Sequence, residues 1–255
     1  MSEAESMAGK KIFLLNPPSV VQNELIQVIL AAEYEVYLLY DAQRAHKAFA
    51  RHPDSIVFVN IDSGNKNMDW EPYVRELAKG EKYPNLKVGV LSYNSDRALI
   101  QRYLMDIGVQ CGFVALKLGV KESAKIILQA LEANEARGRR KYVRVKTGED
   151  PRVAFNVDLP TGAAFGRILD ISSVGMAIQF AKPVKLPPKS VLANIQLKLR
   201  AVLVRTDGVI LGAREDDPSV FVILFKYRPQ ETKPRQQIRM FIHKALQESI
   251  DKLVQ

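Results

Sequence analysis

The sequence predicts two unlike domains in one chain: an α/β domain built on a doubly wound parallel sheet, then an all-β antiparallel domain that closes with a helix. Three observations carry that reading. Over residues 1–136, short β-branched or aromatic runs alternate with helical stretches, the pattern of a parallel sheet with helices on both faces. From Tyr142 onward the strand-type runs follow one another closely and are divided by turn residues, as in a barrel or sandwich. The charge changes sign at the same place. Residues 1–136 hold 15 Lys/Arg against 17 Asp/Glu, net −2, and residues 137–255 hold 22 against 11, net +11. A chain of 255 residues is long enough for two cores, so the expected domains are 1–136 and 137–255.

In the first half, strands are expected at Lys11–Leu15, Val36–Leu39, Ile56–Ile61, Val88–Leu91 and Phe113–Leu116. Helices are expected over about Val20–Ala32, Ala42–Arg51, Trp70–Leu77 and Leu99–Ile107. Residues 121–136 are rich in strong helix formers, and Gly138 is placed to stop them. This last helix is expected to double as a stiff connector with one short hinge. Residues 1–9 are small and polar and are expected to form a frayed start.

The alternation in the first half resembles a response-regulator receiver domain. That family holds Mg²⁺ with an acidic pair after the first strand and phosphorylates an aspartate at the end of the third. Here the first strand runs into Asn16-Pro17-Pro18, and the third ends Asn60-Ile61-Asp62. Asp62 is either a displaced acceptor or a turn residue before Ser63-Gly64, while Ser92 and Lys117 fall near the family's hydroxyl and lysine. Without the acidic pair a hard divalent cation lacks its oxygen ligands, so a phosphorylation-incompetent pseudo-receiver is expected.

In the second half, strands are expected at Tyr142–Val145, Arg152–Val157, Gly166–Leu169, Gly175–Phe180, Val191–Leu199, Ala201–Arg205, Gly208–Ala213 and Val220–Phe225. Asp207-Gly208 is expected to be a hairpin turn. The final helix, about Arg235–Leu253, carries Ile238, Phe241, Ile242, Ala245, Leu246 and Ile250 at spacings of three and four. Its expected role is to cover an open side of the barrel.

The most informative stretch lies at the junction. Arg137-Gly-Arg-Arg-Lys-Tyr-Val-Arg144 packs five cations into eight residues, and Asp170-Ile-Ser-Ser-Val-Gly175 follows about thirty residues later. A guanidinium fork grips a phosphate, or the O6/N7 edge of guanine, with two parallel hydrogen bonds. An aspartate accepts from guanine N1 and N2. Taken singly, each segment has a plainer reading: a solvated basic hinge, and a turn whose Asp or Ser bonds its own backbone while Gly175 relieves a strained φ.

Together, Arg140-x-x-x-Arg144 and Asp170-x-Ser172-x-x-Gly175 resemble the paired signature of PilZ domains over roughly residues 137–227. The resemblance implies a six-stranded antiparallel barrel that binds the bacterial second messenger cyclic di-GMP. It implies that Arg140 and Arg144 clasp the ligand from a flexible arm, that Asp170 and Ser172 hold it from the barrel, and that Gly175 lets the backbone come close. Arg139, just before the pair, implies two ligand molecules per site, its guanidinium stacking on guanine and offsetting phosphate repulsion.

These readings favour a non-enzymatic receptor that changes its interdomain arrangement on binding and signals through the first domain to a protein partner, with outputs such as motility, chemotaxis or surface attachment. A basic nucleic-acid-binding module, or a PilZ-like interaction module that does not bind the nucleotide, is the alternative; the paired signature makes nucleic acid the less expected partner. His46, His52 and His243 have no metal-ligand spacing beside Cys111, and no nucleophile–base set or phosphate-binding glycine loop is seen, so neither a metal nor a cofactor is expected. One cysteine and no apolar run of spanning length fit a cytoplasmic protein.

Overall fold

A computed structural model of the chain describes residues 9–63, 69–227 and 232–255. Contacts divide the chain into two compact units: 1–141 together with 246–255, and 142–245.

The first unit holds a five-stranded parallel sheet in the order β2-β1-β3-β4-β5. Its strands are β1 (Lys11–Leu15), β2 (Val36–Leu39), β3 (Ser55–Asn60), β4 (Lys87–Ser92) and β5 (Phe113–Ala115). The helices between them are α1, which opens as a π-helical turn at Val21–Leu25 and continues over Ile26–Ala31, then α2 (Ala42–Arg51), α3 (Trp70–Lys79), α4 (Arg97–Gln101 running into Arg102–Ile107) and α5 (Val120–Ala133). Every residue of the central strand β3 is buried, as a strand covered on both faces requires. Asp41, Asp69 and Asp96 cap α2, α3 and α4, each carboxylate accepting from backbone N–H groups of the first turn. The sequence expectations for this sheet hold, with β5 shorter than expected and α3 and α4 two residues longer.

One expectation fails at the end of this unit. Gly138 does not stop α5; the helix ends at Ala133, and Glu135 takes the left-handed conformation (φ 51°) while the Ala136 N–H donates to Leu131 O at 2.9 Å. The stop is therefore a non-glycine αL residue closing the last carbonyls. Residues 134–143 contain no helix or strand, so the connector is ten irregular residues, longer than a short hinge. Its beginning is anchored: Ala136 is buried, its carbonyl accepts from Lys10 N, and the Arg137 guanidinium lies 5.2 Å from the Tyr34 ring centroid.

The second unit is a closed six-stranded antiparallel barrel, β7-β8-β9-β12-β11-β10 and back to β7, with a short seventh strand, β6, added on β8. The strands are β6 (Arg144–Lys146), β7 (Val153–Leu159), β8 (Gly162–Ser172), β9 (Gly175–Phe180), β10 (Val191–Leu199), β11 (Val202–Ala213) and β12 (Val220–Lys226). The expected break at Asp207-Gly208 is absent. Both residues lie inside the single strand β11, Asp207 facing Lys226 and Gly208 facing Phe225 of β12. Asp207 Oδ1 accepts from Asn194 N at 2.8 Å, satisfying a bulge in β10 where Asn194 has φ 49°. What reads in sequence as turn chemistry is a bulge partner. The real β10–β11 turn is Arg200-Ala201, with Arg200 at φ 61° and its Nε donating to Asp150 Oδ2 at 2.8 Å.

The final helix, α6, spans Thr232–Val254, about 34 Å at 1.5 Å per residue. Its first half belongs to the barrel unit, where Ile238, Phe241 and Ile242 are buried. Its last ten residues group with the first unit. There Ile250 joins the core, and the Gln247 side-chain amide both accepts from Leu38 N (2.8 Å) and donates to Leu38 O (2.9 Å). β2 is an edge strand, and this amide supplies the two hydrogen bonds a neighbouring strand would have made.

Candidate ligand-binding face of the barrel

The register of β8 explains how an acidic residue comes to lie on a strand face beside the core. Ile168 and Ile171 are both fully buried, and their β9 partners are Ile178 and Met176. Those partners are two apart while the β8 residues are three apart, so Leu169 is an extra residue, a β-bulge. The shift in alternation turns Asp170 and Ser172 onto the face opposite Ile171. Their β6 partners on that face are Lys146 and Arg144, and their β9 partners are Ala177 and Gly175. Two cations thus flank the pair on one side and two minimal side chains on the other.

Asp170 is 9% exposed and is held by two guanidinium groups. Arg144 Nη1 stands 3.4 Å from Oδ1, and Arg214 Nη2 donates to Oδ2 at 2.5 Å. Both arginines keep part of their surface in solvent, Arg144 half of it. Charge-assisted pairs of this kind are about twice as strong as neutral hydrogen bonds, yet either of these partly exposed cations can turn to another anion while the other keeps the buried carboxylate paired.

Ser172 Oγ donates to Gly175 O at 3.1 Å and accepts from Val174 N at 3.4 Å, so its hydroxyl closes the two-residue β8–β9 turn. Tyr227 fixes that turn from outside, its hydroxyl donating to Ser173 O at 2.8 Å. Gly175 is not in the left-handed region; a Cβ there would stand 2.4 Å from Ile223 O. Its lack of a side chain serves the approach of β12, so neither strained φ nor room for a ligand is needed to account for it.

Of the six residues singled out in sequence, the barrel brings Arg144, Asp170, Ser172 and Gly175 together. Arg139 and Arg140 lie in the irregular 134–143 segment; both are exposed and neither has a side-chain hydrogen bond or ion pair among the described residues. Arg214 lies outside the paired signature. It lies 44 residues from Asp170, and the closure of the barrel is what joins them.

The C-terminal end of the parallel sheet is built differently. Asp62 accepts from Ser92 Oγ at 2.7 Å and from Tyr93 N, and its own N–H donates to Asn60 Oδ1 at 3.2 Å. Asn60 Nδ2 in turn donates to Asn16 O at 2.8 Å. Lys117 is exposed and makes no side-chain hydrogen bond or ion pair among the described residues. Gly64 falls outside the described residues. Cys111 is buried under β4, and burial pushes its thiol up to about 12, which keeps it protonated and unreactive. No group of His, Cys, Asp or Glu suited to a metal ion occurs among the described residues, and no helix among them is long and apolar enough to cross a membrane.

No family model matches the chain, and no curated protein matches it. Solved structures do. The PilZ domain of YcgR from Escherichia coli with c-di-GMP is 21% identical over 45% of this chain and 96% of that one, with a TM-score of 0.37. The MrkH–c-di-GMP complex from K. pneumonia is 19% identical over 46% of this chain and 57% of that one, with a TM-score of 0.39. A signal receiver domain of an HD domain-containing protein from Pseudomonas fluorescens is 19% identical over 49% of this chain and 97% of that one, with a TM-score of 0.40. The solved structures to which this chain is similar thus include a PilZ domain with c-di-GMP, a c-di-GMP complex and a signal receiver domain.

Proposed function

We propose that the chain is a non-enzymatic receptor for cyclic di-GMP, and that the ligand is held between the Arg139–Arg144 segment and the Asp170 face of the barrel. The observation that carries this reading is the Asp170 carboxylate. A strand bulge turns it out of the core, and two partly exposed guanidinium groups, Arg144 and Arg214, hold it, within the sequence pattern Arg140-x-x-x-Arg144, Asp170-x-Ser172. Guanine N1 and N2 donors can take one carboxylate edge while Arg144 turns to phosphate or to guanine O6/N7. Arg139 and Arg140, which make no side-chain hydrogen bond or ion pair among the described residues, supply the remaining charge.

With Arg139 stacking on a second guanine, the site takes two molecules. Ordering of the 138–143 segment on the ligand is the switch, and the altered interdomain arrangement is read by a protein partner through the first unit. Calorimetric titration tests this: the wild type binds cyclic di-GMP with two molecules per chain, while Arg140→Ala and Asp170→Ala do not bind. Equal binding by both variants would overturn the site.

A further inference from the structure

The barrel carries a second polar face, formed by β7, β10, β11 and the first half of β8, ahead of Asp170 on that strand. Cross-strand register lines up two outward rows over β8, β7, β10 and β11. One is Phe165, Asn156, Gln196, Arg205; the other is Arg167, Ala154, Lys198, Leu203. Between them runs the buried row Gly166, Phe155, Leu197, Val204, which fixes both rows to the solvent side. Strand spacing makes the patch about 15 Å wide, with the two rows about 7 Å apart.

Three features set this face apart from an ordinary solvated sheet. Phe165 is 60% exposed and has no ring partner among the described residues. Its neighbours Asn156, Gln196, Lys198 and Arg205 make no side-chain hydrogen bond or ion pair among the described residues; Arg167, at the margin, donates to Gln179. The two rows contain three cations and no acid, and acids return one row further on with Asp158 and Asp207.

We infer that this face binds single-stranded nucleic acid. An exposed ring offers a stacking platform to any base, the flanking amides offer donors and acceptors to base edges, and Arg167, Lys198 and Arg205 follow the phosphates. An acidic peptide would use the cations but leave the ring and both amides without a function. The inference stands independently of cyclic di-GMP binding.

The probe is a fluorescein-labelled twelve-residue oligouridylate, titrated by anisotropy at several salt concentrations against the same sequence in duplex form. Three phosphate contacts predict a slope of log K against log salt of about −2. Phe165→Ala is expected to weaken binding between about five- and 150-fold, and Lys198→Gln with Arg205→Gln to flatten the slope by about 1.4. A Lys121→Gln, Lys125→Gln double variant, which removes equal charge from α5, is expected to bind as the wild type does. Undetectable binding at low salt overturns the inference, as does equal affinity for the duplex, or a Phe165→Ala variant that binds normally. Capture by anionic vesicles without oligonucleotide binding would assign the face to a membrane surface and overturn it equally.

Discussion

Each unit of this chain has one aspartate at its polar focus, and the two are held in opposite ways. Asp62, just past the C-terminal end of the central strand β3, is fastened by neutral donors, the Ser92 hydroxyl and the Tyr93 backbone N–H. Asp170, on the barrel, is fastened by the guanidinium groups of Arg144 and Arg214. A backbone N–H cannot swing away, so the first arrangement staples two loops together. A half-exposed guanidinium can exchange its partner, so the second can admit a ligand. The Asp62 arrangement is a structural joint, and the proposed binding face is on the barrel.

The sharpest way to break this contrast is to delete each carboxylate in turn. Asp170→Ala is expected to weaken cyclic di-GMP binding at least a hundred-fold in calorimetry, because two charge-assisted hydrogen bonds are lost, each worth about 1.5–3 kcal/mol. Asp62→Ala is expected to leave affinity unchanged. A smaller effect separates packing from recognition within the signature. Gly175→Ala forces a methyl against Ile223 O and should cost about 1–3 kcal/mol of barrel stability in urea denaturation. If Gly175 served the ligand alone, stability would hold and affinity would fall.

Arg214→Ala is expected to lower affinity about ten-fold, equivalent to about 1.4 kcal/mol, by removing one cation from the anion's surroundings and one clamp from Asp170. Arg214→Lys should recover only part of it, since a point charge does not replace the fork. Asp62→Ala should cost the first unit about 1 kcal/mol, read from the urea midpoint of Trp70 fluorescence.

The weakest contrast is in pH. Burial, then the nearby Lys82 charge, holds the His46 imidazole below its ordinary value of 6.5. Below pH 6.5 the unfolded chain takes up a proton that folded His46 resists, so the first unit loses stability as pH falls from 6.5. The barrel behaves differently. Hydrogen bonds from Arg152, and then from Arg200, hold the Asp150 carboxyl well below the usual carboxylate range. Its contribution is complete above the unfolded pKa near 4 and disappears only as pH falls further. Between pH 6.5 and 5 the Trp70 midpoint should drop while amide exchange at Ile171 stays steady.

Much of this was legible in the sequence where local pattern and final structure agree. The parallel strands announced themselves as short apolar runs, and α2 was bounded correctly at Ala42–Arg51. The paired Arg and Asp-x-Ser segments were found by spacing, and the barrel brings Arg144 beside Asp170. The misses have a common physical cause, which is that distant partners overrode local chemistry. Asp207-Gly208 looked like a turn because its real function, serving a bulge at Asn194 and making room for Ile223, lies in other strands. The Leu169 bulge is invisible without β9 as a ruler. Gln247 completes an edge strand 209 residues away, which no periodicity in the terminal helix could reveal.

The most direct test of the binding face is an amide chemical-shift titration with cyclic di-GMP on isotopically labelled protein. The account predicts that the largest shifts fall on residues 139–144, Asp170, Ser172, Gly175 and Ala177, while Asp62, Ser92 and Tyr93 stay in place. Shifts concentrated around Asp62, with the Asp170 face unmoved, would contradict it.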